Sequence, residues 1–183
     1  MQRIQIKMLK QNQYNKICLK LQIPHIKIDV PLFIVFKLLN IVKDKQILEY
    51  ILVNVPESQH IEYKQLLLGS FKDSMYIKTQ KEAFNYLTKY VSMMGYSRDE
   101  PEHIRRSIYL KDIIVNDLLP HVGDNMTKKA YFLGLMTKQL LDVYLKKKTY
   151  DDRDSYKNKR VDTVGILFSN LFRQYYTKMV KDM

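Results

Sequence analysis

Apolar and polar residues alternate in three short runs near the start of the chain. In Arg3–Leu9, Ile4, Ile6 and Met8 fall on one face and Arg3, Gln5 and Lys7 on the other, the period-two pattern of a half-buried strand. Ile17, Leu19, Leu21 and Ile23 repeat the pattern. Polar Lys10–Lys16 lies between the two runs, so together they predict a hairpin with a longer loop. His25–Val30 alternates again through Ile26, Ile28 and Val30, bounded by Pro24 and Pro31. That predicts a third strand, since proline is confined to strand ends and edges.

The period then changes to that of a helix. Pro31 suits a first helical turn, and Phe33, Phe36, Leu38, Leu39 and Val42 supply a buried face. Asp44 is placed to cap a second helix, Gln46–Val53, with Pro56 ending the segment. Ile61–Leu68 predicts a helix stopped by Gly69. Thr79 and Glu82 form a capping box. The helix behind it turns Ala83, Phe84, Leu87, Tyr90 and Val91 inward and stops at Gly95, and a polar loop follows over Ser97–Pro101. Ile104, Ile108, Ile113 or Ile114, and Leu118 mark a further helical region, stopped by Pro120 and Gly123. Asn125 or Thr127 caps a long helix, Lys128–Lys147, with a stripe of Phe132, Leu133, Met136, Leu140, Val143 and Tyr144. A last helix is predicted from about Lys159 to Lys181. The fold class is α+β: a small antiparallel sheet with several helices, ending in a long helix. No internal repeat or low-complexity linker interrupts it.

Charge changes this picture. The 183 residues carry 31 Lys and Arg against 19 Asp and Glu, a formal net charge of +12. Such an excess suits a protein that neutralises phosphates, because counterion release drives that binding. A genome bias toward Lys, Ile and Asn codons would produce part of the same excess. Cys18 is the only cysteine, which rules out a disulfide within the chain and a cysteine-based metal site and suits an intracellular, reducing compartment. The longest apolar run, Pro31–Phe36, is too short to span a membrane. No Gly-rich phosphate cradle, nucleophile elbow or metalloprotease motif occurs, so no enzyme class has a residue constellation in its support.

The densest chemistry lies just ahead of the last helix. Asp151, Asp152 and Asp154 precede Lys157, Lys159 and Arg160, and an apolar helical pattern of Val161, Val164, Leu167, Phe168, Leu171 and Phe172 follows. The order predicts a nucleic-acid-facing loop anchored by a helix, with Arg153, Asp154, Lys157, Lys159 and Arg160 as the DNA-contacting set. The carboxylates lack the further convergent oxygens that a hard metal needs, so no metal site is assigned. Their expected role is to pair with Arg153, Lys159, Arg160 or Arg173, and Asp154 could instead accept a hydrogen bond from a base edge.

Four segments carry a family resemblance. DVPLFIVFKLLNIVKDKQILEYI, LLPHVG, KKAYFLGLMTKQLL and DDRDSYKNKRVDTVGILFSNLF resemble, in that order along the chain, segments of the second-largest subunit of multisubunit DNA-directed RNA polymerases. Asn40 stands where the pattern has Gly, Ser155 and Lys157 where it has His and Gly, and Ile166 where it commonly has Pro. The divergence and composition suit a large DNA virus or another AT-rich lineage. The resemblance implies a lobe-like domain over residues 1–147. Residues 148–183 would be the DDRD loop and one helix of an incomplete protrusion domain. It implies DNA, the largest and other polymerase subunits, and initiation factors as partners, with location in a nucleus or a viral factory or virion. The chain would act in transcription as part of a nucleotidyltransferase while being inactive alone. It would hold no cofactor, the Mg²⁺ ions belonging to the largest subunit. The rival expectation is a free-standing module, derived from a polymerase lobe, that binds nucleic acid or protein.

Overall fold

Strands β1 (Gln5–Gln11) and β2 (Lys16–Gln22) form the antiparallel hairpin that their alternation predicts, with Ile6 opposite Leu21 and Met8 opposite Leu19. The computed structural model of the chain describes residues 4–11, 16–92, 101–152 and 154–182. They fall into two compact units, Met1–Lys148 and Thr149–Met183. The first unit is α+β. Its three-stranded sheet runs in the order β1-β2-β3, and its helices are α1 to α6 among the described residues.

The third strand is shorter than predicted. Only β3 (Val30–Pro31) pairs with β2, through Leu21↔Val30 and Lys20↔Pro31. The chain between the two prolines turns away because its backbone is engaged elsewhere. His25 takes the left-handed conformation at φ 62°. Its carbonyl accepts from Ser92 N at 2.8 Å, and Lys27 N donates to the Tyr90 carbonyl at 3.0 Å.

Helix α1 (Leu32–Leu38) is buried on every side, Lys37 included, so it is a core helix rather than an amphipathic one. Leu39 is buried with it and Val42 is half-buried. The Lys37 ammonium donates to the carbonyls of Ile77 (2.8 Å) and Ser74 (3.3 Å) and lies 3.5 Å from the Asp44 carboxylate. Asp44 therefore opens α2 (Asp44–Leu52) without capping it. Asn40, where the polymerase pattern has Gly, sits at φ 70°, a region asparagine tolerates better than other side-chain-bearing residues.

Helix α3 (His60–Lys72) runs through Gly69 instead of stopping there. The glycine serves close packing: a Cβ on it would lie 2.2 Å from the Ile17 carbonyl oxygen. Next to it, the Ser70 hydroxyl accepts from Leu19 N at 2.7 Å, fixing α3 to β2. Cys18 is buried at the same contact, and burial, followed by a hydrogen bond with Asp73, pushes its thiol up to about 11. The thiol is protonated at neutral pH and unreactive.

Thr79 caps α4 (Gln80–Thr88), accepting from Glu82 N at 3.2 Å. The Glu82 carboxylate accepts from Lys78 N at 2.7 Å, and this bond holds its pKa below the usual range. Ala83, Leu87 and Val91 are buried as expected, with Phe84 and Tyr90 partly so. The helix ends at Thr88 rather than at Gly95, which lies outside the described residues, as do 97–100 of the predicted polar loop.

Helix α5 (Glu102–Asp112) passes into a π-helical turn, Ile113–Asp117, where Leu118 N reaches back to the Ile113 carbonyl at 2.7 Å. Leu119 follows at φ 53°, ahead of a 3₁₀ turn at Pro120–Val122. Asn125 caps α6 (Met126–Tyr144), its side-chain oxygen accepting from Thr127 N and Lys128 N. The buried stripe of α6 differs from the expected one. It consists of Lys129, Ala130, Leu133, Gly134, Thr137 and Leu141, whereas Tyr144 is exposed and Phe132, Met136, Leu140 and Val143 are half-buried. Small residues face α2 because its backbone comes so close: a Cβ on Gly134 would lie 2.5 Å from the Tyr50 carbonyl oxygen.

Candidate nucleic-acid interface

The loop ahead of the last helix is a set of turns tied together by short side chains. The Asp152 carboxylate accepts from the Asp154 backbone N–H at 2.9 Å, and the Asp152 carbonyl accepts from Ser155 N at 3.2 Å. Asn158 closes the turn. Its side-chain amide donates to the Asp151 carboxylate (2.9 Å) and the Asp152 carbonyl (2.8 Å), while its own N–H donates to the Ser155 carbonyl. Aspartate and asparagine do this readily because their side chains mimic a backbone turn.

This geometry sorts the predicted site residues. Asp154 meets Lys159 in an ion pair of 3.0 Å. Lys157 and Arg160 are exposed and form no ion pair among the described residues. Arg153 lies outside the described residues. The three carboxylates turn to three different partners rather than to one point. Among the described residues no cluster of His, Cys, Asp and Glu could hold a metal ion. Sequence reasoning missed Asn158, although an amide six and seven residues after two aspartates was a usable signal.

The helix begins later than expected. Helix α7 spans Val164–Asp182. Thr163, a residue type that favours caps over helix interiors, lends its carbonyl to Ile166 N and Leu167 N. Lys159 and Arg160 thus precede the first turn and gain nothing from its N–H groups. Nor is α7 a buried anchor. It buries none of its residues, and Phe168, Phe172 and Tyr175 are each about two-thirds exposed. A continuous exposed apolar face of this kind drives association. The chain is expected to self-associate in sedimentation velocity as concentration rises, and a chain ending at Lys148 is expected to stay monomeric. A 183-residue chain that remains monomeric throughout would refute this.

Residues 3–162, from just ahead of β1 to the end of the DDRD loop, match the family described as RNA polymerase Rpb2, domain 2. The chain belongs to this family. It is 36% identical over 164 residues to DNA-directed RNA polymerase II subunit 2 of Arabidopsis thaliana, covering 88% of this chain and 13% of that protein. The match to DNA-directed RNA polymerase II subunit RPB2 of Schizosaccharomyces pombe is 33% over 184 residues, 98% of this chain and 14% of that protein. An archaeal relative, DNA-directed RNA polymerase subunit Rpo2N of Methanocaldococcus jannaschii, is 29% identical over 157 residues, covering 84% of this chain and 30% of that protein. The chain thus corresponds to a small part of the length of its relatives. The Rpb2 domain 2 match takes in the whole DDRD loop and ends short of α7. Among the described residues no helix is long and apolar enough to cross a membrane.

Proposed function

We propose that this chain is part of the second-largest subunit of a DNA-directed RNA polymerase and that its DDRD loop holds DNA during transcription. The match of residues 3–162 to Rpb2 domain 2 carries this reading, and the exposed cations of the loop supply its chemistry. Lys157 and Arg160 meet phosphate. Asp154 braces Lys159, since its carboxylate already holds that ammonium at 3.0 Å, and carboxylates near DNA more often orient cations than read bases. Residues 1–147 are the lobe and 148–183 the DDRD loop and a helix of the protrusion. The nucleotidyltransferase activity belongs to the assembled enzyme, whose largest subunit carries the Mg²⁺. Phosphoryl transfer depends on positioning and charge stabilisation, so a DNA-holding part contributes to rate without touching the metal. DNA, the other polymerase subunits and initiation factors are the partners. The Lys-, Ile- and Asn-rich composition favours an AT-rich source such as a large DNA virus, with the enzyme in a nucleus or a viral factory.

The test uses an assembled polymerase carrying Lys157→Ala and Arg160→Ala. DNA binding should weaken equally for all sequences, and the slope of log affinity against log salt should fall by about one for each lost phosphate contact. Asp154→Ala should lower complex lifetime with no preference among downstream bases. An unchanged salt slope in the Lys157/Arg160 double variant would remove the loop from the DNA surface.

A further inference from the structure

The first unit has an open cleft of about 570 Å³ whose chemistry is opposite to that of the chain as a whole. Its apolar lining is Ile4, Pro24, Leu119, Pro120, Phe132 and Met136, and its polar lining is Gln5, His25, Asn116, Asp117 and His121. Among the described residues no lysine or arginine lines it, in a protein of net charge +12. Among the described lining residues Asp117 is the one carboxylate; its side chain is 41% exposed, and His25 Nε2 lies 3.8 Å from it, beyond hydrogen-bond reach. Asp117 therefore keeps acceptor capacity facing an apolar space.

The cleft is built from unusual backbone. Asn116 and Asp117 lie in the π-helical turn, and Leu119 and His25 both have left-handed φ. Such features persist where the surroundings hold them, and they gather at binding sites. Here the support is Lys129, whose buried ammonium binds the carbonyls of Ile114 and Val115 and so locks the turn. Two ring contacts border the space. His121 packs edge-on to Phe132 at 4.7 Å, and His25 lies 5.8 Å from Tyr109.

We propose that this cleft docks a short segment of a partner protein that presents an arginine or lysine next to an apolar side chain. The cationic head pairs with Asp117, and the methylene stem and neighbouring apolar group cover the lining. Long cationic side chains suit a site with one acid and an apolar wall, because the stem is buried as the head is paired. A phosphate strand does not suit it, since a lone carboxylate repels phosphate.

The test uses photoreactive benzophenone conjugates of leucyl-arginine amide and leucyl-glutamate amide. They are applied to the 183-residue chain and to the assembled polymerase, and labelled positions are mapped by mass spectrometry. The arginine probe should label the cleft in both samples, near Phe132 and His121. Unlabelled leucyl-arginine amide should compete, and the glutamate probe should not label there. Asp117→Asn, which keeps the shape of a partly exposed side chain, should weaken competition about tenfold through loss of a charge-assisted hydrogen bond. Equal labelling by both probes, or competition unaffected by Asp117→Asn, would overturn the proposal. So would labelling of the isolated chain but not of the polymerase, which would show that the rest of the enzyme covers the cleft.

Discussion

Exchanging Lys129 for methionine is expected to cost the first unit about 2–4 kcal/mol, the penalty for leaving two carbonyls without their donor. The residue is fully buried on α6, and its ammonium donates to the Ile114 carbonyl at 2.8 Å and the Val115 carbonyl at 2.6 Å. Those carbonyls belong to the π-helical turn, whose wider hydrogen-bond spacing removes their ordinary helical partners. Methionine fills nearly the same volume and supplies no donor. Lys129→Ala adds a cavity and should cost about 3–5 kcal/mol. For a chain of this size the melting temperature should fall by roughly 2–4 °C per kcal/mol. Burial also holds the Lys129 pKa below the usual lysine value of 10.5, with Asp124 opposing the shift. The unfolded chain then binds more protons between the two values, so native stability rises with pH through that window. The stability gap between the native chain and Lys129→Met should therefore widen as pH climbs toward 10.5 from below. Urea unfolding of both proteins across that range measures the gap. Equal stability of the two proteins at every pH would contradict the role given to Lys129.

The second large effect concerns two glycines inside helices. On an exposed helix face, Gly→Ala stabilises by about 1 kcal/mol. At Gly69 and Gly134 the sign should reverse. The added methyl would stand 2.2 Å from the Ile17 carbonyl oxygen in one case and 2.5 Å from the Tyr50 carbonyl oxygen in the other. Both obstacles are backbone and cannot rotate away. Each change should cost about 3 kcal/mol, at the upper end of overpacking penalties. Gly69→Ala should loosen α3 from β2, and Gly134→Ala should loosen α6 from α2. The contacts are distinct, so the two losses should add. Gly165→Ala on α7 is the control, because its Cβ would meet nothing within 4 Å. A double variant as stable as the native chain would contradict the close approaches.

These two residues also show where sequence reading stops. A glycine in a helical run reads locally as a stop, and Gly69 was expected to end α3. The approach of Ile17, some fifty residues earlier, decides otherwise and leaves no local trace. The same holds for α6, where the largest apolar residues were expected inside. Closeness to α2 selects the small ones, Ala130, Gly134 and Thr137. Features set by neighbours in the chain were legible: the β1–β2 hairpin, the Thr79 and Asn125 caps, and the crowded charges of the DDRD loop. His25–Val30 had the alternation of a strand, but pairing depends on an available partner edge, and its backbone hydrogen bonds went to Tyr90 and Ser92 instead. In the loop, the Asp154–Lys159 pairing followed from opposite charges close in sequence. The late start of α7 did not, because Val161 and Asp162 fit a helical count as well as a loop.

Helix α7 buries none of its residues, and that sets its thermodynamics. A single helix of 19 residues has a costly nucleus and a gain per added residue close to zero, so in water its helix–coil equilibrium is nearly balanced. Dilution that breaks up self-association should therefore lower ellipticity at 222 nm. Whatever surface covers the apolar stripe supplies its folding free energy, so ordering and assembly of this segment are one event, and its affinity for that surface is reduced by the entropy of becoming a helix.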